Sequence, residues 1–318
     1  MTPRERFMAA LDCKPLTGRV PHFELVFFLT MEAFGKVHPT HRHFSQWDQM
    51  SDIERDLQRK DVADVYAMTA EKYEHSAIFP QGACAPGIEE ELRQVDLIKE
   101  RVNGERFIML HGDATYAIPD GNTMLEFSYR MVDDPEGMKA EADANVNQML
   151  ERAEYFDKHG HPVDGFALCS DYCLNVGPFL SPNQFGEFVA PYLEKLIKGY
   201  RDMGYYTIKH TDGNIMPIVD QMVQCHPHAL HSLDPQGGVD IKVLKDMYRG
   251  RVCLIGNVNC GLMQTGTDEE FEASVRYALQ NGMPDYGYIF STSNCIYTGA
   301  PLDRYERMLE IWRAEGNY

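Results

Sequence analysis

The chain has 318 residues, 44% of them hydrophobic and 25% charged, a composition far from that of disordered or fibrous proteins and long enough to bury a full core. Forty-eight acidic against thirty basic residues give a net charge of −18, and a field of that sign repels phosphate backbones and anionic lipid surfaces, so it argues against nucleic acid and membrane partners. The opening Met1-Thr2-Pro3-Arg4-Glu5-Arg6 has no apolar signal core and no stretch approaches ~18 uninterrupted apolar residues, so a cytoplasmic protein is expected. Eight cysteines (13, 84, 169, 173, 225, 253, 260 and 295) are dispersed without a CxxC pair, which reads as reduced thiols rather than a disulfide framework.

Taken in chain order, the first element is an apolar, β-prone run, Val20 to Phe28. Residues 100–131 carry turn signals, Val102-Asn103-Gly104-Glu105 and Asp120-Gly121-Asn122, between short β-prone runs, and predict a β-hairpin excursion. A helix follows from Pro135 to about Lys158, then a strand from Val163 to Leu168. The spacing of Phe185, Phe188, Val189, Tyr192 and Leu196, behind a capping Ser181 and Pro182, predicts a helix over 182–203. Tyr205 to Lys209, Ala229 to Leu233 and Arg251 to Ile255 are strands; Thr267 and Glu270 open a capped helix that runs to Asn281-Gly282. A strand from Tyr286 to Phe290 and a helix from Leu302 to Ala314 complete the chain. Strands alternating with helices imply a parallel sheet. No repeat, linker or clean boundary divides the sequence.

Polar residues collect where these strands end: Glu24, Ser170-Asp171-Tyr172, His210-Thr211-Asp212, Asp234, Gly256-Asn257-Val258-Asn259 and Ser291-Thr292-Ser293-Asn294-Cys295. In a barrel these positions share one face, the face that holds the chemistry. His210 and Asp212 stand at i and i+2 of an extended segment and point to one side, so both can reach one ligand or metal. A nitrogen, a carboxylate oxygen and a thiolate from His210, Asp212 and Cys295 suit zinc with an open fourth position; an ordinary His-Asp hydrogen bond ordering a loop is the simpler alternative. Asp171 is placed to serve as acid, base or acceptor, or as a cap. His38, His41 and His43 read as a solvated loop, and Cys169 and Cys173 find no third ligand nearby. GxGxxG, GxxxxGK[ST], GxSxG and HExxH are all absent, which leaves dinucleotide, P-loop, serine-hydrolase and zincin readings without support.

Five blocks in register carry a resemblance over nearly the whole chain: Arg4-Glu5-Arg6-Phe7-Met8-Ala9-Ala10-Leu11 with Arg19-Val20-Pro21; Ser181 to Ile197; His210-Thr211-Asp212-Gly213-Asn214; Leu233-Asp234-Pro235 with Asp240 to Lys245; and Gly256-Asn257-Val258. Together they resemble the uroporphyrinogen decarboxylase superfamily. The resemblance implies one (β/α)8 TIM barrel domain over 1–318 and a choice of two chemistries. The decarboxylases of that superfamily resemble each other in an arginine-rich N-terminal motif; here the corresponding stretch after Val20 is Pro21-His22-Phe23-Glu24-Leu25-Val26-Phe27-Phe28, which does not suit a polyanionic porphyrinogen. The corrinoid-dependent methyltransferase branch binds zinc through an HxC motif and a late cysteine. Here Asp212 stands where that motif has its cysteine, a harder donor better suited to polarising oxygen than to holding a thiolate.

The resemblance therefore implies transfer of a methyl group from a small methylated donor, with phenyl methyl ethers as the donor class, to a cobalt(I) corrinoid. A DxHxxG corrinoid motif is absent, so the corrinoid is expected on a partner protein docking over the barrel mouth. Asp171, His210 and Asp212 would be catalytic; Phe23, Glu24, Tyr172 and Asn257 would bind substrate; His210, Asp212 and Cys295 would hold zinc or work as a metal-free acid cluster. The competing readings are a decarboxylase of a smaller substrate and a catalytically silent corrinoid- or ligand-binding barrel. A homodimer is compatible with all three.

Overall fold

A computed structural model describes all 318 residues, Met1 to Tyr318. Its strands are β1 (Ala77–Ile78), β2 (Phe107–His111), β3 (Gly165–Leu168), β4 (Cys173–Leu174), β5 (Gly177–Pro178), β6 (Tyr206–Thr211), β7 (Ala229–Ser232), β8 (Cys253–Val258) and β9 (Tyr288–Thr292). Seven of them form one sheet in the order β1-β2-β3-β6-β7-β8-β9, every neighbouring pair parallel. Strands β4 and β5 pair as a short antiparallel ribbon beyond the end of β3.

The expected closed eight-stranded barrel is observed as this curled seven-stranded sheet. The segment expected as the strand Val20 to Phe28 makes only isolated bridges, His22 with Phe290 and Phe27 with Ile296. It nevertheless touches both edges of the sheet: Phe23 N donates to Phe290 O at 3.1 Å and Ser76 N donates to His22 O at 2.7 Å. Pro21, which has no N–H to give, cannot extend this into a regular ladder.

The expected hairpin over 100–131 is not formed. Asn103 and Gly104 are left-handed (φ 51° and 66°), but they terminate the helix Ile88–Arg101 and lead into β2, which is buried between β1 and β3. Asp120 accepts from the N–H groups of Asn122 and Thr123 and so begins the helix Met124–Asp133. The helix expected over 182–203 is two helices, Pro182–Phe188 and Ala190–Asp202. Pro191 explains the break, since its ring lacks an N–H and crowds the carbonyl four residues back. Other expectations hold: Pro135–Lys158, Asp268–Gly282 and Leu302–Glu315 are helical, the second opening with the Thr267–Glu270 capping box.

Alternation along the strands builds two cores. One apolar cluster, including Phe7, Phe23, Phe107, Ala167, Ile208, Ile255 and Ile289, fills the concave side of the sheet; a larger one lies between sheet and helices. Two residues further along those inward faces stand Cys169, His210, His231, Asn257 and Ser291. The polar layer thus caps the apolar one at the strands' C-terminal ends. No helix is long and apolar enough to cross a membrane.

Candidate active site at the strand ends

One group of three or more histidine, cysteine, aspartate or glutamate donors comes together in the molecule: Asp171, His210 and Asp212, with one donor atom from each lying within 4.8 Å of the others. His210 Nε2 is 3.7 Å from Asp171 Oδ1 and 3.8 Å from Asp212 Oδ1. The imidazole is nearly buried, at 7% side-chain exposure, while the two carboxylates are 46% and 31% exposed. These separations exceed hydrogen-bond length, so His210 Nε2 is a buried nitrogen aimed between two oxygens that it does not bond. They lie near the spacing of ligands around one cation, about 3.0–3.5 Å for bonds of about 2.1 Å.

Each member is held from behind. Asp212 Oδ1 accepts from Ser232 Oγ at 2.8 Å and Oδ2 from Asn294 Nδ2 at 2.5 Å. Asp171 Oδ1 accepts from Asp212 N at 3.0 Å. His210 Nδ1 lies 2.7 Å from His231 Nδ1, so for His210 Nε2 to offer its lone pair, Nδ1 must carry the proton and donate it to His231. Gly213, at φ +76°, turns the chain immediately after the triad, where a Cβ would strike Leu174 O at 2.6 Å. The chain leaves β7 through two left-handed residues, Ser232 (φ 87°) and Leu233 (φ 54°), a strain of order 1–3 kcal/mol each, and this path carries Ser232 Oγ to Asp212. Burial lowers the pKa of His210 and raises that of Asp212, so the imidazole is neutral and able to act as a ligand.

Cys295 is not among the three clustered donors; burial pushes its thiol up to about 12, and Asp171 takes the third place expected for it. Phe23 is fully buried, edge-on to Phe7 at 5.8 Å, and fills the concave core. Asn257 is buried and donates to Leu233 O at 3.1 Å. Glu24 is buried and accepts from Thr292 Oγ1 at 2.5 Å and Ser291 Oγ at 3.3 Å; burial outweighs those bonds and raises its pKa to about 8, so the carboxyl is mostly protonated at neutral pH. The His38 to His43 segment forms no metal cluster; His38 Nδ1 bonds Thr40 Oγ1 at 2.8 Å, and the His41 ring stacks on Phe28 at 4.8 Å.

Tyr172 is buried, and its hydroxyl is tied to Thr115 Oγ1 at 2.6 Å. That bond belongs to a network sequence reasoning missed. Lys209, wholly buried, donates to Asp113 Oδ2 and to Ser170 O, both at 2.8 Å, and its ammonium sits 3.9 Å from the Tyr172 ring centroid. Burial pushes Asp113 up, but the charge of Lys209 and hydrogen bonds from Lys209 and Thr115 prevail and bring it to about 2. The pair anchors Ser170, next to Asp171. The signal was a lysine inside the apolar run Tyr205 to Lys209, a position a charged residue occupies only when paired. Lys209→Met is expected to cost about 3–5 kcal/mol by leaving Asp113 buried and unpaired, and a Lys209→Met/Asp113→Leu double variant should recover much of it. Urea denaturation of the three proteins checks this; a single variant within about 0.5 kcal/mol of the parent would show that the pair is dispensable.

A family model described as uroporphyrinogen decarboxylase (URO-D) matches residues 130–314. No curated protein matches the sequence. Among solved structures, a methyltransferase from Methanosarcina mazei superposes with a TM-score of 0.71 at 19% identity, over 99% of this chain and 99% of that one; at that identity the likeness is one of fold. An alpha-amylase from Geobacillus thermoleovorans (TM-score 0.45, 10% identity, 81% of this chain and 72% of that one) and an N-acetylneuraminate lyase from Mycoplasma synoviae (0.42, 14%, 94% and 75%) are too distant to bear on the chemistry.

Proposed function

The chain belongs to the uroporphyrinogen decarboxylase (URO-D) family, and from that membership we propose that it is an enzyme moving a methyl group from a small methylated donor, a phenyl methyl ether, to the cobalt(I) corrinoid of a separate protein. The observation that carries this reading is the aim of His210 Nε2 between the carboxylates of Asp171 and Asp212, a site built to act on an oxygen. The full-length likeness of fold to a methyltransferase is in keeping with it.

A methyl ether yields its methyl only if the departing oxygen is protonated or bound to a cation as the C–O bond breaks. The donor set fits a divalent ion: its atoms are spaced for one, its one nitrogen and two oxygens suit zinc or a slightly harder metal, and the carboxylates are fixed by Ser232, Asn294 and the Asp212 amide. Such an ion, held by His210, Asp171 and Asp212, would supply Lewis acidity at the ether oxygen. With no ion in place, Asp212, its pKa raised by burial, would instead be the group that holds a proton for the leaving oxygen. His231 fixes the ring of His210, and the part-exposed carboxylates leave the site open to a donor and to a partner protein presenting its corrinoid over the strand ends.

Decarboxylation of a substrate rich in carboxylates would call for cations at the same place. Asp171 and Asp212 contribute negative charge there, and the nearest cation, Lys209, is already paired with Asp113.

The test is to incubate the purified protein with a cobalt(I) corrinoid and panels of methoxyaromatics, methylamines and methanol, following the cobalt(I) absorbance. Cobalt(I) is expected to be consumed, and methyl-cobalt formed, with methoxyaromatics only. Consumption with another donor class would replace the donor; no consumption by folded, metal-loaded protein, together with carbon dioxide release from a carboxylated substrate, would overturn methyl transfer in favour of decarboxylation.

A further inference from the structure

The opposite end of the sheet holds a second charged cleft, of about 130 Å³, lined by the side chains of Arg6, Arg19 and Arg106 with Glu74, Ser76 and Trp312. Ser76 immediately precedes β1 and Arg106 immediately precedes β2, so the cleft lies at the strands' N-terminal ends, away from Asp171, His210 and Asp212.

Its charges are unbalanced in a chain with a large acid excess. Arg19 Nη1 meets Glu74 Oε2 at 2.7 Å and stacks over the Trp312 ring at 4.7 Å, while the second oxygen of Glu74 is taken by Arg313 Nε at 2.6 Å. Glu74 is thus held between two guanidinium groups and has no free oxygen for a third. Arg6 donates only to a backbone carbonyl, Arg19 O, at 3.2 Å, and Arg106 only to Glu105 O at 3.5 Å. Neither has a carboxylate within ion-pair distance, although Glu105, Glu71 and the cleft's own Glu74 lie near enough to Arg106 to be felt. The Nε atoms of Arg19 and Arg106 are both buried and lack any hydrogen-bond partner, and a buried unpaired donor of a charged group is costly to leave unmade. Three guanidinium groups line one small cleft, two of them without counter-ions and two with an unpartnered Nε, a set of donors that suits an oxyanion.

We propose that this cleft binds a small tetrahedral dianion of the phosphate class, which Arg6, Arg19 and Arg106 hold together. Its size admits such an anion. The anion would join the helix Pro3–Leu11, the segment Arg19–Pro21 that leads into the bridge between the sheet edges, and the start of β2. The effect is on the cohesion of the N-terminal face and not on the chemistry at the other end.

The test is titration calorimetry and thermal denaturation with inorganic phosphate, on chelator-treated protein and at ionic strength held constant with chloride, so that neither a bound metal nor general screening contributes. Saturable binding of one phosphate and a rising midpoint are expected. Arg6→Gln and Arg106→Gln should each weaken binding about tenfold or more, while Lys198→Gln, an exposed lysine elsewhere, should leave it unchanged. Acetate, with one charge, should bind at least about tenfold more weakly than phosphate. Should Arg106→Gln fail to fold, Arg6→Gln carries the comparison. Absence of saturable binding by the parent protein, or equal affinity in parent and Arg6→Gln, overturns the site; equal affinity for acetate overturns the dianion.

Discussion

On the proposed function, replacing His210 with alanine is expected to lower methyl transfer by about 10²–10³-fold or more while the protein stays folded, and to abolish divalent-metal binding at the triad. The expectation follows from geometry. Nε2 of this one ring is the only nitrogen in the group, and it occupies the buried corner between the two carboxylates. Without it the group keeps only the oxygen donors of Asp171 and Asp212, and two carboxylates in a solvent-accessible setting hold zinc poorly. A preorganised group acting on a charge that develops only as the bond breaks accounts for rate losses of this size. Asp171→Asn should lower the rate by about tenfold or more with little change in stability, because its exposed carboxylate makes one bond inward, from the Asp212 amide. Elemental analysis of metal content and the cobalt(I) assay on the same preparations separate the possibilities. Loss of metal with loss of rate supports a metal role; loss of rate with metal absent from the parent as well assigns the triad to proton transfer. Parent-like rate in His210→Ala would remove the residue from the site and with it the proposed function.

The part of this site that was legible from sequence is the part that depends on local spacing. His210 and Asp212 share a side because extended residues two apart must, and Asp171 follows a strand that the run Val163 to Leu168 announces. The third partner was not legible. Cys295 and Asp171 both follow strand ends and have plausible ligand atoms, and only the order of strands puts Asp171, just beyond β3, the strand paired directly with β6, beside His210, whereas Cys295 follows β9, three positions away. His231 and Ser232 were hidden for the same reason: they act through cross-sheet contacts, His210 to His231 and Ser232 to Asp212. The error over 100–131 had a different origin. A left-handed Asn-Gly pair closes a hairpin and ends a helix equally well, so local turn chemistry could not decide between them; β2, with four successive buried residues, Phe107 to Leu110, is a buried parallel strand that shows no alternation. Missing β2 also hid Asp113 at its end, and with it the partner that makes the buried Lys209 intelligible.

The remaining large effect concerns pH, and its sign rests on which buried groups must change charge. His22, His38 and His228 are each brought to about 4, chiefly by burial, and His75 and His231 lie well below their ordinary value for the same reason. His22 illustrates why they stay neutral: its Nδ1 donates to Phe290 O at 3.1 Å, its Nε2 meets Tyr305 Oη at 3.1 Å, and that hydroxyl is shared with His75 Nε2 at 2.9 Å, a trio with no place for a further proton. At His22, His38 and His228 the unfolded chain binds protons from about pH 6.5 downward while the folded chain does not until about pH 4, so stability falls as pH falls through that window, by on the order of 2 kcal/mol per ring at pH 5, and His75 and His231 act in the same direction. Glu24 opposes this. With its folded pKa near 8 against about 4.5 unfolded, it is a burden that grows as pH rises from 4.5 to 8, and acidification relieves it by a similar amount over the same interval. Several histidines against one such carboxyl leave a net loss of several kcal/mol between pH 7 and pH 5, a large share of the ~5–15 kcal/mol that holds a typical domain. In Glu24→Gln, which keeps a neutral donor and acceptor beside Thr292, the relief disappears. The variant should therefore match or exceed the parent at pH 8 and lose stability more steeply on acidification. Denaturant unfolding of chelator-treated parent and variant at pH 8, 7, 6 and 5 measures both slopes. A parent profile flat from pH 7 to 5 would mean that the histidines take up protons without unfolding the chain, and parallel profiles for the two proteins would mean that Glu24 is ionised in the fold, its charge held by the hydroxyls of Ser291 and Thr292.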